Sequence, residues 1–222
     1  MVKTCALFDF DGVIADTERG NSEYAAKVLA RHGVVLTEED KLSFVGINTR
    51  AVFELFLHKI RKPISVDELL EERFSLGTTY EDGALKLMPG VTELIKGLRG
   101  TGLITGVVSS TSARLVLAAL NRLHMTTLFD VIVGGDMAKR FKPAPDIYQK
   151  AMEYAGVYPE QCIAIEDSPS GIQSAKAAGI YVFGFTGGEI KQNVSEADSI
   201  INDFRTCINL PQWRQWGIQG NQ

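Results

Sequence analysis

The chain has 222 residues, 45% of them hydrophobic and 23% charged, with a formal net charge of −4. These values fit a soluble globular protein with room for a core domain and a smaller second one. No dense Lys/Arg block points to nucleic acid, and the longest apolar runs, about five to seven residues, are too short for a membrane span.

The N-terminal stretch MVKTCALFDFDG lacks the long apolar region and small-residue cleavage site of a secretory signal, which predicts a cytoplasmic protein. Cys5, Cys162 and Cys207 are odd in number and form no C-x-x-C pair. They read as buried small hydrophobes rather than as a disulfide framework or a zinc site.

In chain order, the first predicted strand covers residues 4–9 (TCALFD). Residues 18–82 then carry no convincing strand. Tyr24, Val28 and Leu29 predict one helix, and Val52, Leu55, Phe56 and Ile60 predict another. Residues 66–76 predict a third, opened by Ser65 as an N-cap. Alternation begins after that. Val91, Leu94, Ile95 and Leu98 follow a helical period, as do Val116, Leu120 and Leu123. Strands are predicted at 103–109 (LITGVVS), 129–133 (FDVIV), 162–166 (CIAIE) and 180–185 (IYVFGF). In the tail, Trp213 and Trp216 are spaced to pack on the core.

Apolar strands that do not alternate, separated by helices, predict an α/β fold with a parallel sheet covered on both faces. The strand-free stretch reads as an inserted helical domain. The expected division is a discontinuous core, residues 1–15 and 85–222, and a helical domain, residues 16–84, with the two connections forming a hinge. No long exposed apolar helix is evident, so the expected state is a monomer.

Ligands of open parallel sheets bind beyond the carboxyl ends of the strands. There the sequence delivers Asp9 and Asp11, then Ser109 to Ser112, then Glu166, Asp167 and Ser168, with Lys142 in the loop before a helix. Clustered carboxylates are tolerated where a hard cation sits among them, and Mg²⁺ takes oxygen ligands while keeping positions open for water and phosphate. Asp9 and Asp167, Asp11 through its backbone carbonyl, and Glu166 are the candidate metal ligands. Ser109 and Ser110 at a helix N-terminus suit a phosphate, and Lys142 would neutralise it. Each feature alone has a plainer reading: a turn for D-x-D, an N-cap for the serines, a surface lysine for Lys142. The ordered set outweighs those readings.

That set, FDFDG, VVSS, Lys142 in FKPAPD, and IEDSPSGIQSAKAAG, resembles the four motifs of the haloacid dehalogenase-like phosphatase superfamily across nearly the whole chain. The closest resemblance is to the subfamily of β-phosphoglucomutase, phosphoglycolate phosphatase and sugar-phosphate phosphatases. It implies a Rossmann-like core with a helical cap inserted after the first motif. It also implies Asp9 as the nucleophile of an aspartyl-phosphate mechanism, Asp11 as acid and base, and Ser109 and Lys142 on the phosphoryl oxygens. Asp9 and Asp167 would anchor Mg²⁺. The second Asp and the metal separate this pattern from that of the dehalogenases.

In the cap, Gly46-Ile47-Asn48-Thr49-Arg50 resembles a substrate-contacting loop, with Arg50 at the place of an arginine that grips a distal phosphate. Thr17 reads as a substrate contact or as a helix cap. Asn21 stands where the mutases carry a histidine, a departure that favours hydrolysis. The expectation is a Mg²⁺-dependent phosphatase for a small phosphorylated metabolite, in particular a sugar phosphate. A β-phosphoglucomutase is the alternative, and a non-catalytic phospho-ligand binder a remote one.

Overall fold

A computed structural model describes residues 2–43, 49–188, 191–207 and 210–216. In chain order the elements are β1 (Cys5–Phe8), β2 (Ala15–Asp16), α1 (Glu18–Arg31), α2 (Glu38–Ser43), α3 (Thr49–Phe56), α4 (Val66–Ser75), β3 (Lys86–Leu87), α5 (Val91–Gly100), β4 (Ile104–Ser109), α6 (Ala113–Arg122), β5 (Val131–Gly134), α7 (Asp146–Ala155), β6 (Cys162–Glu166), α8 (Pro169–Ala177), β7 (Tyr181–Phe185), β8 (Ser199–Ile201), α9 (Phe204–Cys207) and α10 (Pro211–Gln215). The chain divides into two compact units, one of Met1–Ala15 and Leu87–Gln222, the other of Asp16–Lys86.

The first unit is built on a six-stranded sheet in the order β5-β4-β1-β6-β7-β8. Every neighbouring pair in it is parallel. This is the α/β, Rossmann-like architecture expected from apolar strands that carry no polar face. β1 is buried at all four positions and β6 at all five. Because side chains alternate across a strand, Cys5 and Leu7 of β1 share one face with Cys162 and Ala164 of β6. That face packs against Ile147, Tyr148, Ala151 and Met152 of α7 and against Ile172 and Ala175 of α8. Fully burying one such aliphatic or aromatic side chain contributes roughly 1.5–3 kcal/mol. α5 buries Val91, Leu94, Ile95 and Leu98, and α6 buries Val116 and Leu120, both outside that cluster.

The tail packs as its tryptophan spacing predicts. Trp213 is fully buried and stacks on Phe183 at 5.0 Å, and Trp216 meets Tyr181 edge-on at 4.8 Å. The three cysteines are buried and free. β8 was not expected: it is a three-residue edge strand with Ile200 exposed, too short and too one-sided to stand out in the sequence.

The second unit is helical. Ala25, Val28 and Leu29 of α1 form a core with Val52, Phe53 and Phe56 of α3 and Leu69 of α4. Phe53, not the expected Leu55, faces this core, and Leu55 is more than half exposed. The N-cap at Ser65 forms as expected. Its side chain accepts from the Glu68 backbone while the Glu68 carboxylate accepts from Ser65 N, a reciprocal box that satisfies two otherwise orphaned donors. Where the chain leaves and re-enters the first unit, β2 and β3 pair as a short ribbon. Among the described residues, no helix is long and apolar enough to cross a membrane.

Candidate active site

The register of the two central strands places the first acids. Phe8 of β1 pairs with Ile165 of β6, and Asp9 N donates to Ile165 O at 2.9 Å. Asp9 and Glu166 therefore leave their strands side by side. By the two-residue period both lie on the face that Leu7 and Ala164 share with α7 and α8. Asp9 is 6% exposed and Glu166 fully buried.

Two buried carboxylates this close need a cation. Lys142 supplies one. Its Nζ donates to Asp9 Oδ1 at 2.5 Å, to Glu166 Oε1 at 2.6 Å and to Val108 O at 3.2 Å, so each ammonium proton has an acceptor. The lysine lies in the loop before α7, which starts at Asp146, as expected. Glu166 Oε1 also accepts from the Tyr148 hydroxyl at 2.7 Å, and Oε2 accepts from Ser168 Oγ at 3.3 Å. Ser168 in turn caps α8 by accepting from Gly171 N. A side chain at Gly171 would overlap the Glu166 carboxylate.

Asp11 is held differently. Its Oδ2 accepts from Ser109 Oγ at 3.1 Å and from Thr111 Oγ1 at 3.3 Å, and Ser109 Oγ accepts from Thr111 N at 3.0 Å. Gly12 follows at φ 77°, and a Cβ there would strike the Asp167 carboxylate. The glycine thus makes the turn and admits Asp167 against the first loop. Ser110 is exposed beside the buried Ser109.

The electrostatics follow from four acids around one lysine. Burial pushes the Asp9 carboxyl well above the usual carboxylate range; Lys142 opposes this, while Glu166, Asp11 and Asp167 add to it. Burial works to lower the Lys142 ammonium, but Asp9 and Glu166 more than reverse that and raise it, so the lysine stays charged. Asp9, Glu166 and Asp167 each offer one oxygen within 4.8 Å of the others. An all-oxygen, net-negative donor set of this kind fits a hard divalent cation. The Asp11 side chain is not in that group.

Of the expected site residues, the structure brings together Asp9, Asp11, Ser109, Lys142, Glu166 and Asp167. In the helical unit, Arg50 is exposed and ion-paired to Asp67 Oδ1 at 2.5 Å. Thr17 stands at the N-cap position of α1, as one of its two readings expected, but is fully buried and makes no side-chain capping bond there. The side chain of Asn21 and residues Gly46, Ile47 and Asn48 lie outside what is described. Thr111 belongs to the stretch Ser109 to Ser112 expected at this edge, although no role of its own was expected for it. One site residue was not foreseen. Tyr148 had only the signal of a polar atom on an otherwise apolar helix face.

A family model described as haloacid dehalogenase-like hydrolase matches residues 6–185. The chain belongs to this family and is a hydrolase. Among curated relatives, validoxylamine A 7′-phosphate phosphatase of Streptomyces hygroscopicus subsp. limoneus is 33% identical over 199 residues, 90% of this chain and 93% of the relative. The phosphorylated carbohydrates phosphatase of Thermotoga maritima is 32% identical over 174 residues, 78% of this chain and 81% of the relative. Among solved structures, CbbY of Rhodobacter sphaeroides in complex with phosphate superposes with a TM-score of 0.71 at 27% identity, covering 93% of this chain and 96% of that one.

Proposed function

We propose that the protein is a Mg²⁺-dependent phosphatase that hydrolyses a small phosphorylated carbohydrate through an aspartyl-phosphate on Asp9. The observation that carries this reading is the pairing of two unlike carboxylates on one loop. Asp9 is buried and held by Lys142, while Asp11 is held by two hydroxyls and stays partly open.

An Asp9 oxygen forms the bond to phosphorus as the bond to the leaving oxygen breaks. Asp11 gives its proton to that oxygen. Asp11 then takes a proton from water, the water oxygen bonds to phosphorus, and Asp9 is released as a carboxylate. Ser109 and Lys142 would turn to the phosphoryl oxygens, Ser109 releasing Asp11 and Lys142 its longest bond, to Val108 O. Asp9, Asp167 and Glu166 would hold the metal, which when bound would offset the charge of two approaching anions. Two relatives named as phosphatases of phosphorylated compounds support the reaction class, and one of those names specifies carbohydrates. We assign substrate choice to the helical unit, with Arg50 taking a distal phosphate in place of Asp67.

The test is phosphate release with Mg²⁺ across hexose, pentose and glycerol phosphates and phosphoglycolate. Steady release that is lost in Asp9→Asn and abolished by EDTA is the expected result. Turnover that survives in Asp9→Asn overturns the proposal. So does conversion of β-glucose 1-phosphate to glucose 6-phosphate, dependent on glucose 1,6-bisphosphate and without free phosphate.

A further inference from the structure

Tyr148 raises a question that packing alone does not answer. It is fully buried on the inner face of α7 between Ile147, Ala151 and Met152. A phenylalanine would fill nearly the same volume without burying a hydroxyl, which is costly unless bonded. The hydroxyl is bonded, and to a charge: it donates to Glu166 Oε1 at 2.7 Å, the same oxygen that accepts from Lys142 at 2.6 Å. The lysine Nζ also lies 5.4 Å from the centre of the Tyr148 ring. Tyrosine thus meets both members of the Glu166–Lys142 pair, with its hydroxyl on one and its ring near the other.

We propose that Tyr148 is a positioning residue for Lys142, acting through Glu166. With both Oε1 bonds in place, Glu166 cannot rotate, and its oxygen draws one ammonium proton toward β6 while Asp9 Oδ1 takes another. Without the hydroxyl, Glu166 Oε1 accepts from the lysine alone and draws it more strongly, so the ammonium settles toward Glu166 and away from Asp9, the group that must attack phosphorus. The side chain touches no reacting atom. Its effect is to divide one ammonium between two carboxylates.

This inference rests on the phosphatase reading only for its kinetic arm. Tyr148→Phe, Glu166→Gln and the double variant are compared with wild type, using p-nitrophenyl phosphate with Mg²⁺, on protein whose thermal midpoint lies above the assay temperature. The ¹⁵N ammonium NMR signal of Lys142, identified by its loss in Lys142→Gln, is read without substrate or metal. Tyr148→Phe is expected to shift or broaden that signal and to lower kcat roughly tenfold with KM within about twofold, the scale of one hydrogen bond to a charged group. In the Glu166→Gln background the same substitution should change kcat less than about twofold.

An unmoved lysine signal, or equal kcat losses in both backgrounds, overturns the proposal. Should Tyr148→Phe fail to fold, 3-fluorotyrosine at 148 keeps the shape and makes the hydroxyl a stronger donor. It should move the lysine signal in the opposite sense, and no movement overturns the proposal equally. If the wild type releases no phosphate from any ester, the function reading falls while the lysine signal still decides the role of Tyr148.

Discussion

Replacing Gly171 by alanine pits helix propensity against the site. In a helix interior, alanine is favoured over glycine by about 0.8–1.0 kcal/mol. At Gly171 in α8, the added methyl would overlap the carboxylate carbon and both oxygens of Glu166. Glu166 is fully buried and accepts from Lys142, Tyr148 and Ser168, so it cannot move aside without breaking bonds. Two of those bonds lost at about 1.5–3 kcal/mol each, less the helix gain, leave a net destabilisation of about 2–5 kcal/mol.

The control is Gly97→Ala in α5, where nothing lies within 4 Å of an added Cβ. There the same substitution should stabilise by about 0.5–1 kcal/mol. Urea unfolding followed by tryptophan fluorescence reads the first unit, since Trp213 and Trp216 both pack against β7. At roughly 2–4 °C per kcal/mol, thermal midpoints should separate the two variants clearly. A Gly171→Ala protein with a midpoint at or above wild type would refute the packing of Glu166 against α8.

Asp11→Asn is expected to slow turnover by about 10²–10⁴ while the fold survives, because both proposed proton transfers use that carboxylate; an unchanged rate in steady-state assays removes it as acid and base. Arg50→Ala should raise KM for a sugar bisphosphate more than for p-nitrophenyl phosphate, and equal effects would place Arg50 outside the substrate pocket. Asp130→Asn tests a structural pair. Burial pushes the Asp130 carboxyl up, but the Arg99 guanidinium at 2.6 Å and the Thr105 backbone N–H at 2.9 Å hold it below its ordinary range. A depressed carboxyl stabilises the fold above its unfolded value, about 3.9, and loses that contribution as pH falls through the folded value. Wild type should therefore exceed Asp130→Asn by about 1 kcal/mol at pH 7 in urea unfolding, and the two curves should converge as pH falls through the depressed folded value; parallel curves would show that the pair does not titrate as described.

Much of the core was legible in the sequence for one physical reason. Strands buried on both faces admit almost no polar residue, so TCALFD and CIAIE stand out, and the acids that end them mark the edge where chemistry collects. The short edge strand β8 and the two-residue ribbon of β2 and β3 lack that contrast. In α3, Leu55 and Phe53 are both apolar, and only tertiary packing selects Phe53 for the core. Lys142 alone reads as a surface residue. Its 4% side-chain exposure becomes intelligible only when the topology sets Asp9 and Glu166 beside it. Tyr148 was invisible because nothing local shows that an aromatic hydroxyl on α7 will meet a carboxylate on β6.

The place of β1 in the middle of the sheet has a consequence for how the chain is made. Cys5–Phe8 is translated before both of its neighbours, which begin at Ile104 and Cys162. At about 5–20 residues per second, the second neighbour arrives about 8–30 s after the first strand. During that interval the ribosome-bound chain carries an apolar strand with open edges, the kind of segment that chaperones capture and that aggregates when they do not. The helical unit Asp16–Lys86 depends on none of the later strands for its own core and can fold in the meantime. Nucleophile, lysine and buried glutamate, at 9, 142 and 166, meet only after β6 has been synthesised. A translation product that stops before it can hold the helical unit and still have no active site at all.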